Sequence, residues 1–257
     1  MKMTGGYLKK VLRVDLGAGQ ARVEPLKDEL IEKYVGGTGI GAKILYDEVP
    51  PGVEWNDPKN RLILFSGPLG ATRISGTGTF SVVTKGPMTN MAGCSQANGL
   101  FGAYLKLAGF DGIVVQGAAS HLVYLFIHDG KAEIRDARHL QGKGTFETEE
   151  ILRKELGLGF RASVQAIGPA GENLVRFAMI SGDGGHVVAH NGMGAVMGSK
   201  RLKAIVAARG KAEFPVADKA AVERLSRELH EDAKNKGSKR IYEWGTGKGF
   251  SGAALGG

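Results

Sequence analysis

Gly182-Asp183-Gly184-Gly185-His186-Val187-Val188-Ala189-His190-Asn191-Gly192-Met193-Gly194-Ala195-Val196-Met197-Gly198 is the stretch from which the rest of the chain can be read. Ser199-Lys200-Arg201-Leu202-Lys203 follows at once. Glycine takes positive φ and lets the backbone approach a ligand closely, but it is costly to order. A run this dense therefore points to a binding loop rather than to structure alone. Cations sit at its downstream end, and residues 36–43 and 92–103 have the same character. The remainder reads as a scaffold that brings these three loops together.

Composition agrees with that reading without deciding it. Hydrophobic content is 42% and charged content 23%, ordinary for a soluble globular protein. Glycine is not ordinary: 41 of 257 residues is roughly twice an average usage of about 7%. Only 8 prolines accompany them, so this is no low-complexity tract. Tight turns and backbone-lined binding loops would both produce it. A net charge of +8 calls for an anionic partner or marks a basic surface without function. Phosphate on a small cofactor fits. A nucleic-acid partner fits poorly, because aromatics are 7% and are not interleaved with basic residues. The single cysteine, Cys94, excludes an internal disulfide framework and a cysteine-only metal site. No secretory segment opens the sequence, and no apolar run approaches the ~20 residues of a membrane span. A cytoplasmic protein without membrane contact is expected.

Along the chain, Lys10–Leu16 and Ala21–Glu24 flank a Gly17-Ala18-Gly19-Gln20 turn as a hairpin. Helices are expected over Leu26–Tyr34 and, after the glycine cluster Gly36–Gly41, over Ala42–Glu48, where Pro50-Pro51 stops it. Leu62–Phe65, Phe80–Thr84 and Ile113–Val115 read as strands, and Asn98–Ala108 as a helix. Val123–Ile127 and Ala132–Arg135 form a hairpin about Asp129-Gly130, a strong turn signal. Thr145–Leu156 is a charged amphipathic helix, and Ser163–Ile167 and Leu174–Ile180 are strands. A short helix over Met193–Leu202 and a closing strand over Ala204–Ala208 complete residues 1–212. Strands and helices do not alternate strictly, so the fold class is α+β, with mostly antiparallel sheets and flanking helices. Residues 213–257 change character. Lys219–Lys236 is a polar helix, and the end, from Trp244 to Gly257, is glycine-rich, as though a second, helical domain had just begun.

Three familiar patterns are approached and missed. Gly37-Thr38-Gly39-Ile40-Gly41-Ala42 satisfies G-x-G-x-x-G/A but follows a helix, whereas dinucleotide binding needs a preceding strand. Gly194–Lys200 is one residue short of a P-loop and places Ser199 before Lys200 instead of after it. Glycine-rich amides feeding a helix start can still hold an anion. His186 and His190 are four apart, but Val187 stands where a zinc protease needs glutamate. Histidines lining a ligand loop are favoured over a protein-ligated metal, since no third ligand is in sight. Cys94 reads as a small buried residue before it reads as a nucleophile or metal thiolate.

Several strings taken together resemble one family. They are Tyr34–Gly39, Ser66–Gly70, Val82–Pro87, Phe101–Lys106, Ala108–Asp111, Ile167–Asn173 and Gly194–Lys200. Their order and spacing are similar to the N-terminal domain of tungsten-containing aldehyde ferredoxin oxidoreductases, over nearly all of residues 5–212. The resemblance implies two β-sheets forming a saddle-like base under a tungsten (or molybdenum) bis-pterin cofactor. It further implies a Mg ion, bridging the pterin phosphates, that takes the backbone carbonyls of Gln96 and Val187. Thr79, Asn98, His186, Ala189 and His190 match neighbouring cofactor-contacting positions. Backbone carbonyls suit hard Mg²⁺. The family commonly has Arg in place of Thr79, and Arg or Gly in place of His186, His190 and Asn191. A backbone ligand tolerates such changes, while a guanidinium fork on phosphate has no imidazole equivalent.

In the intact family an aldehyde is oxidised to the acid, with electrons leaving through a 4Fe-4S cluster to ferredoxin or another electron-transfer subunit. The cluster cysteines and the second pterin wall follow this domain, and this chain does not carry them. The resemblance therefore implies a truncated or split frame, or a subunit completed by a C-terminal polypeptide. The alternative is a catalytically inert cofactor-binding or assembly module. A homodimer is compatible with either.

Overall fold

The computed structural model describes residues 5–235 and 239–255, and its first sheet grows out of the N-terminal hairpin. In that hairpin β1 (Lys10–Asp15) pairs with β2 (Gln20–Pro25). Helices α1 (Asp28–Tyr34) and α2 (Gly37–Glu48) come next, then β3 (Leu62–Ser66), β4 (Phe80–Lys85) and β5 (Ala92–Ala97). After α3 (Phe101–Leu107), β6 (Gly112–Gln116) inserts between β1 and β3, giving the order β2-β1-β6-β3-β4-β5. Only β1 and β6 are parallel.

The second sheet also has six strands, in the order β11-β10-β9-β12-β7-β8. They are β7 (Val123–His128), β8 (Lys131–Asp136), β9 (Ala162–Ala166), β10 (Ile180–Gly182), β11 (His186–Val188) and β12 (Leu202–Ala208). Here only β7 and β12 are parallel. Helix α4 (Thr145–Glu155) lies between β8 and β9 in sequence, α5 (Pro169–Glu172) follows β9, and α6 (Met193–Ser199) follows β11.

Strand side chains alternate between faces, and here both faces of both sheets are covered. Leu62 and Leu64 point to a core between the sheets, with Val82 and Ile113 beside them and Leu125, Ile205 and Val188 opposite. Helices α3 and α6 wedge into the same core through Phe101, Leu105, Met193 and Met197. Phe101 stacks tilted on Phe80, with ring centroids 4.8 Å apart. Ile63, Phe65 and Val83 face the other way, under Ile31 of α1 and Ile40 and Ile44 of α2. Tyr124, Val164 and Val206 do the same under Leu152 of α4. Burial on both faces is why β3 reads as a near-continuous apolar run and why β9 and β12 are mostly apolar or small, with Gln165 and Lys203 as the polar exceptions.

The structure corrects the sequence reading in four places. The glycine cluster at 36–41 is not a free loop, because α2 begins at Gly37. A Cβ at Gly39 would lie 2.2 Å from the Tyr34 carbonyl oxygen, and one at Gly41 2.7 Å from Val83 Cγ2. Those glycines serve close helix packing. Segment 92–97, read as loop, is β5; its Ala-Gly-Cys-Ser-Gln-Ala sequence has little β propensity and is recruited by pairing with β4. Leu174–Ile180 is not a strand, and only Ile180–Gly182 pairs. The amides of Leu174, Val175 and Ala178 bond locally to Gly171, Ala170 and Val175 carbonyls, so they have none to give a ladder.

The fourth correction concerns the cations after the glycine loop. Lys200 and Lys203 are wholly buried and face carbonyls, not a ligand. Lys200 Nζ donates to the Asn60 (2.7 Å), Gly117 (3.3 Å) and Pro58 (3.5 Å) carbonyls. Lys203 bonds the Lys143 carbonyl at 2.7 Å and pairs with Glu172. Lys106, also buried, bonds the Gly6 and Pro68 carbonyls. Burial pushes both the Lys106 and Lys200 amines down to about 8. The start of α6 is closed as well. Gly194 N–H donates to the Ala178 carbonyl, and a Cβ there would sit 2.4 Å from the Met179 carbonyl oxygen.

Beyond residue 212, α7 (Lys219–Asn235), α8 (Lys239–Trp244) and α9 (Phe250–Leu255) are helical, and α7 buries none of its residues. Lys236, Gly256 and Gly257, which the sequence reading included, lie outside the described residues.

Candidate functional site

The two sheets approach each other along the outer edges of β5 and β11. The chain from His186 to Asn191 runs antiparallel to β5. A side chain at Gly99 would press to 3.2 Å from His186 Cδ2, Ser95 Oγ donates to the His190 carbonyl (3.4 Å), and Asn191 Nδ2 donates to the Cys94 carbonyl (2.9 Å). By that register Gln96 lies opposite Ala189, and Asn98 opposite Val187. Yet among the described residues no backbone ladder joins β5 to β11. An edge strand keeps alternate N–H and C=O groups free of a strand partner, so the seam presents main-chain polar groups from both sheets.

At one end the seam opens into a groove of about 620 Å³, whose lining includes Thr79, Asn98, Gly99, Arg153, Asp183 and His186. That volume is within the range of small-molecule sites. Thr79 Oγ1 donates to Asn98 Oδ1 at 2.5 Å. Left-handed backbone flanks β11 on both sides. Asp183, Gly184 and Gly185 have φ of 49°, 75° and 116°, and His190, Asn191 and Gly192 have 62°, 55° and 69°. Successive residues of this kind are the places where glycine, Asn and Asp belong, which accounts for the density of the opening stretch.

Beneath the groove is a charged cluster that the sequence reading missed. Asp183, with its side chain 3% exposed, accepts from Leu100 N–H and Ser163 Oγ, both at 2.8 Å, and from Gln165 Nε2 at 3.5 Å. Arg153 lies 3.6 Å from Asp183 and 2.7 Å from Glu149, and its Nε donates to the Ala162 carbonyl. Glu149 in turn accepts from Gly184 N–H at 3.2 Å. The Glu149/Arg153 pair was legible as an i,i+4 spacing on α4. Nothing in the sequence linked it to Asp183.

The expected site residues thus fall on one seam. Thr79, Asn98 and His186 line the groove, and Gln96, Val187, Ala189 and His190 continue along the two lips. Gln96 turns its side chain back toward Ser81 Oγ, 3.4 Å away. His186 and His190 do not share a helical face, because the first is on a strand and the second in a left-handed turn. Among the described residues no group of three or more His, Cys, Asp or Glu side chains could hold a metal ion. Cys94 Sγ lies 3.0 Å from Thr38 Oγ1 at the first turn of α2. It is the only cysteine of the chain, so a four-cysteine cluster does not fit these residues.

Two sheets meeting edge to edge over a groove are not the arrangement of a nucleotide-binding βαβ domain. The chain belongs to the aldehyde ferredoxin oxidoreductase family: residues 11–209 match its N-terminal domain. It is 45% identical over 214 residues to a tungsten-containing aldehyde ferredoxin oxidoreductase of Pyrococcus furiosus, covering 83% of this chain and 35% of that protein. It is 38% identical to the WOR-like subunit of an aliphatic sulfonate oxidoreductase from the same organism, covering 95% of this chain and 40% of that protein. The active-site complex BamBC of benzoyl coenzyme A reductase, solved with 1,5-dienoyl-CoA, superposes with a TM-score of 0.86 at 42% identity. That match covers 90% of this chain and 35% of the other. The chain therefore spans 35–40% of the length of these relatives. No helix among the described residues is long and apolar enough to cross a membrane.

Proposed function

We propose that this chain is the cofactor-binding N-terminal part of a tungsten (or molybdenum) bis-pterin oxidoreductase that oxidises aldehydes to carboxylic acids. The observation that carries the reading is the unladdered seam, with Gln96 and Val187 on opposite lips of facing edge strands. Main-chain carbonyls are the donors a hard cation takes, and those of Gln96 and Val187 would hold a Mg²⁺ ion beside the cofactor's phosphates. Thr79, Asn98, His186, Ala189 and His190 flank it. Gly184, where a Cβ would meet nothing within 4 Å, leaves the backbone open toward a ligand, while Gly99, where a Cβ would stand 2.8 Å from Asp183 Oδ2, makes room for that carboxylate. When bound, the metal–pterin group supplies the two-electron chemistry, while the chain binds it, orients it and sets its electrostatic surroundings.

The 4Fe-4S cluster and the passage of electrons to ferredoxin belong to a part this chain does not supply, since it has one cysteine. A complementing polypeptide fits the exposed apolar side chains that rim the site. Leu100 and Phe160 are at the groove, and Met88, Met91, Phe177 and Met179 are on segments that approach one another at Gly192, where a Cβ would meet Pro87 and the Arg176 carbonyl. The relatives are named for aldehydes, a sulfonate and benzoyl coenzyme A. One cradle beneath different substrates fits a domain that carries the cofactor and leaves substrate choice to the rest.

The test is co-expression with a polypeptide corresponding to the remaining length of the relatives, anoxic purification, and elemental and pterin analysis. Stoichiometric tungsten or molybdenum with pterin is expected. Absence of both metals and of pterin would refute the reading.

A further inference from the structure

The seam is pinned at its two ends, with a longer Ser95 Oγ to His190 carbonyl bond (3.4 Å) just inside the second. At one end Asp183 reaches from the turn before β11 to Leu100 N–H (2.8 Å), just beyond β5. At the other, Asn191 reaches from the turn after β11 to the Cys94 carbonyl (2.9 Å) and toward Ser95 Oγ (3.4 Å). Each side chain stands in a triplet of left-handed residues, and each triplet ends in glycine. Asn and Asp tolerate that backbone better than other residues with a side chain, so position and reach are selected together. Asp183 is itself held from behind by Ser163, Gln165 and Arg153.

We propose that Asp183 and Asn191 are positioning residues: a pair of clasps that fixes the width and register of the seam, so that carbonyls on its two lips reach one cation. Neither is a ligand to the cation: Asp183 Oδ2 is taken up by Leu100, Ser163 and Gln165, and Asn191 Nδ2 by the Cys94 carbonyl. This rests on the Mg–phosphate reading above. The clasps take the place of a β-ladder, holding the two antiparallel edges side by side while leaving the main chain between them without a strand partner.

The experiment uses the full chain with Mn²⁺ in place of Mg²⁺ and inorganic pyrophosphate as the phosphate probe, followed by electron paramagnetic resonance and calorimetry. Asp183→Ala and Asn191→Ala should each weaken Mn²⁺–pyrophosphate binding at least tenfold. Asp183→Asn keeps an acceptor for Leu100 N–H and should lose less than threefold. Asn191→Asp keeps shape and left-handed tolerance but loses the donor to the Cys94 carbonyl, so it should fail like Asn191→Ala. A role confined to backbone conformation would instead leave Asn191→Asp unaffected. Urea midpoints measured in parallel separate weakened folding from weakened binding.

Hydrogen exchange needs no ligand. The Leu100 amide should exchange at least tenfold faster in Asp183→Ala or in Asp183→Ala,Ser163→Ala, which also removes the hydroxyl left unpaired behind it, whichever folds. If the parent chain binds no Mn²⁺–pyrophosphate, the site reading falls and the clasp role with it. If the parent binds and the variants bind within threefold, or Leu100 exchange is unchanged, the clasps are overturned while the site reading stands.

Discussion

Lys200→Met separates the cost of burying an ammonium group from the worth of its hydrogen bonds. Lys200 is 1% exposed and is caged by the Asn60, Gly117 and Pro58 carbonyls. Burial, helped by repulsion from Arg61 and opposed by Asp57 and Asp15, brings its amine from an ordinary 10.5 down to about 8. Between those two values the unfolded chain holds a proton that the folded chain has released, so stability rises with pH. Below pH 8 both states are protonated and the full burial cost is present. The rise by pH 9.5 is about 2 kcal/mol, and the full span corresponds to about 3 kcal/mol at 1.36 kcal/mol per unit. The carbonyl cage favours the ammonium form, so these are upper values.

Methionine of similar reach removes the titration. It also leaves carbonyls unpaired, at about 1–3 kcal/mol for each that stays dry. At pH 7 the relief of about 3 kcal/mol offsets the loss of one or two dry carbonyls, whereas by pH 9.5 only about 1 kcal/mol of that relief is left and the loss dominates. Urea unfolding of both proteins at several pH values from 7 to 9.5 gives the comparison. The upper limit stays below the range in which Tyr7 and Tyr124, raised by burial, release their protons. The variant should fall behind the parent by up to about 2 kcal/mol over that interval. Stability curves that stay parallel would refute the assignment of an ionisation cost to this site.

Gly182→Ala should be among the most damaging single changes, because its Cβ would lie 1.7 Å from the Val164 carbonyl oxygen, where β10 pairs with β9. A loss above about 4 kcal/mol, or an insoluble product, is expected, and a thermal midpoint within a few degrees of the parent would contradict it. Lys203→Met removes the partner of Glu172 from a side-chain site that is 0% exposed for the lysine and 14% for the carboxylate. It should cost about 3 kcal/mol in urea unfolding, and Glu172→Gln, which keeps an acceptor and the bond to Gly142 N–H in reach, should cost less. The reverse order would show that the carboxylate, not the ammonium, is the group held in place.

Much of the scaffold was legible because it rests on local signals. The Asp129-Gly130 turn takes φ of 43° and 73° between β7 and β8, as its sequence requires. Apolar runs at Leu62–Phe65 and Ala204–Ala208 are central strands. What escaped was the pair of edges that makes the site. β5 is built of small and polar residues, and β11 is three residues set among left-handed turns. Neither carries an amphipathic period. Each becomes a strand through its hairpin neighbour, β4 or β10, and their meeting as facing edges, 97 residues apart at Cys94 and Asn191, is a contact that no local window contains. The resemblance supplied the seven site positions without showing why Gln96 and Val187 should stand on facing lips. It also gave no hint that Lys200 and Lys203, prominent beside the glycine loop, turn away from it into the core.

The seam also bears on why side chains at the site can differ from those the resemblance leads one to expect. An exposed strand edge invites pairing with another chain, and a protein ordinarily covers or ladders it. Here β5 is covered by β11, and at the far ends of the sheets β2 lies against β8, so each edge is shielded by its counterpart. Shielding without a ladder leaves donors and acceptors directed at whatever lies between. Their geometry is set by the clasps and by the fold behind them, not by the identity of residues 186–190. A site built this way can place Thr at 79 and His at 186 and 190 and keep its main-chain contacts. Substituting Asp183 or Asn191 would change the separation of the lips themselves. On this reasoning the main-chain contacts do not depend on the side chains at 79, 186 and 190, whereas Asp183 and Asn191 set the lips that carry those contacts.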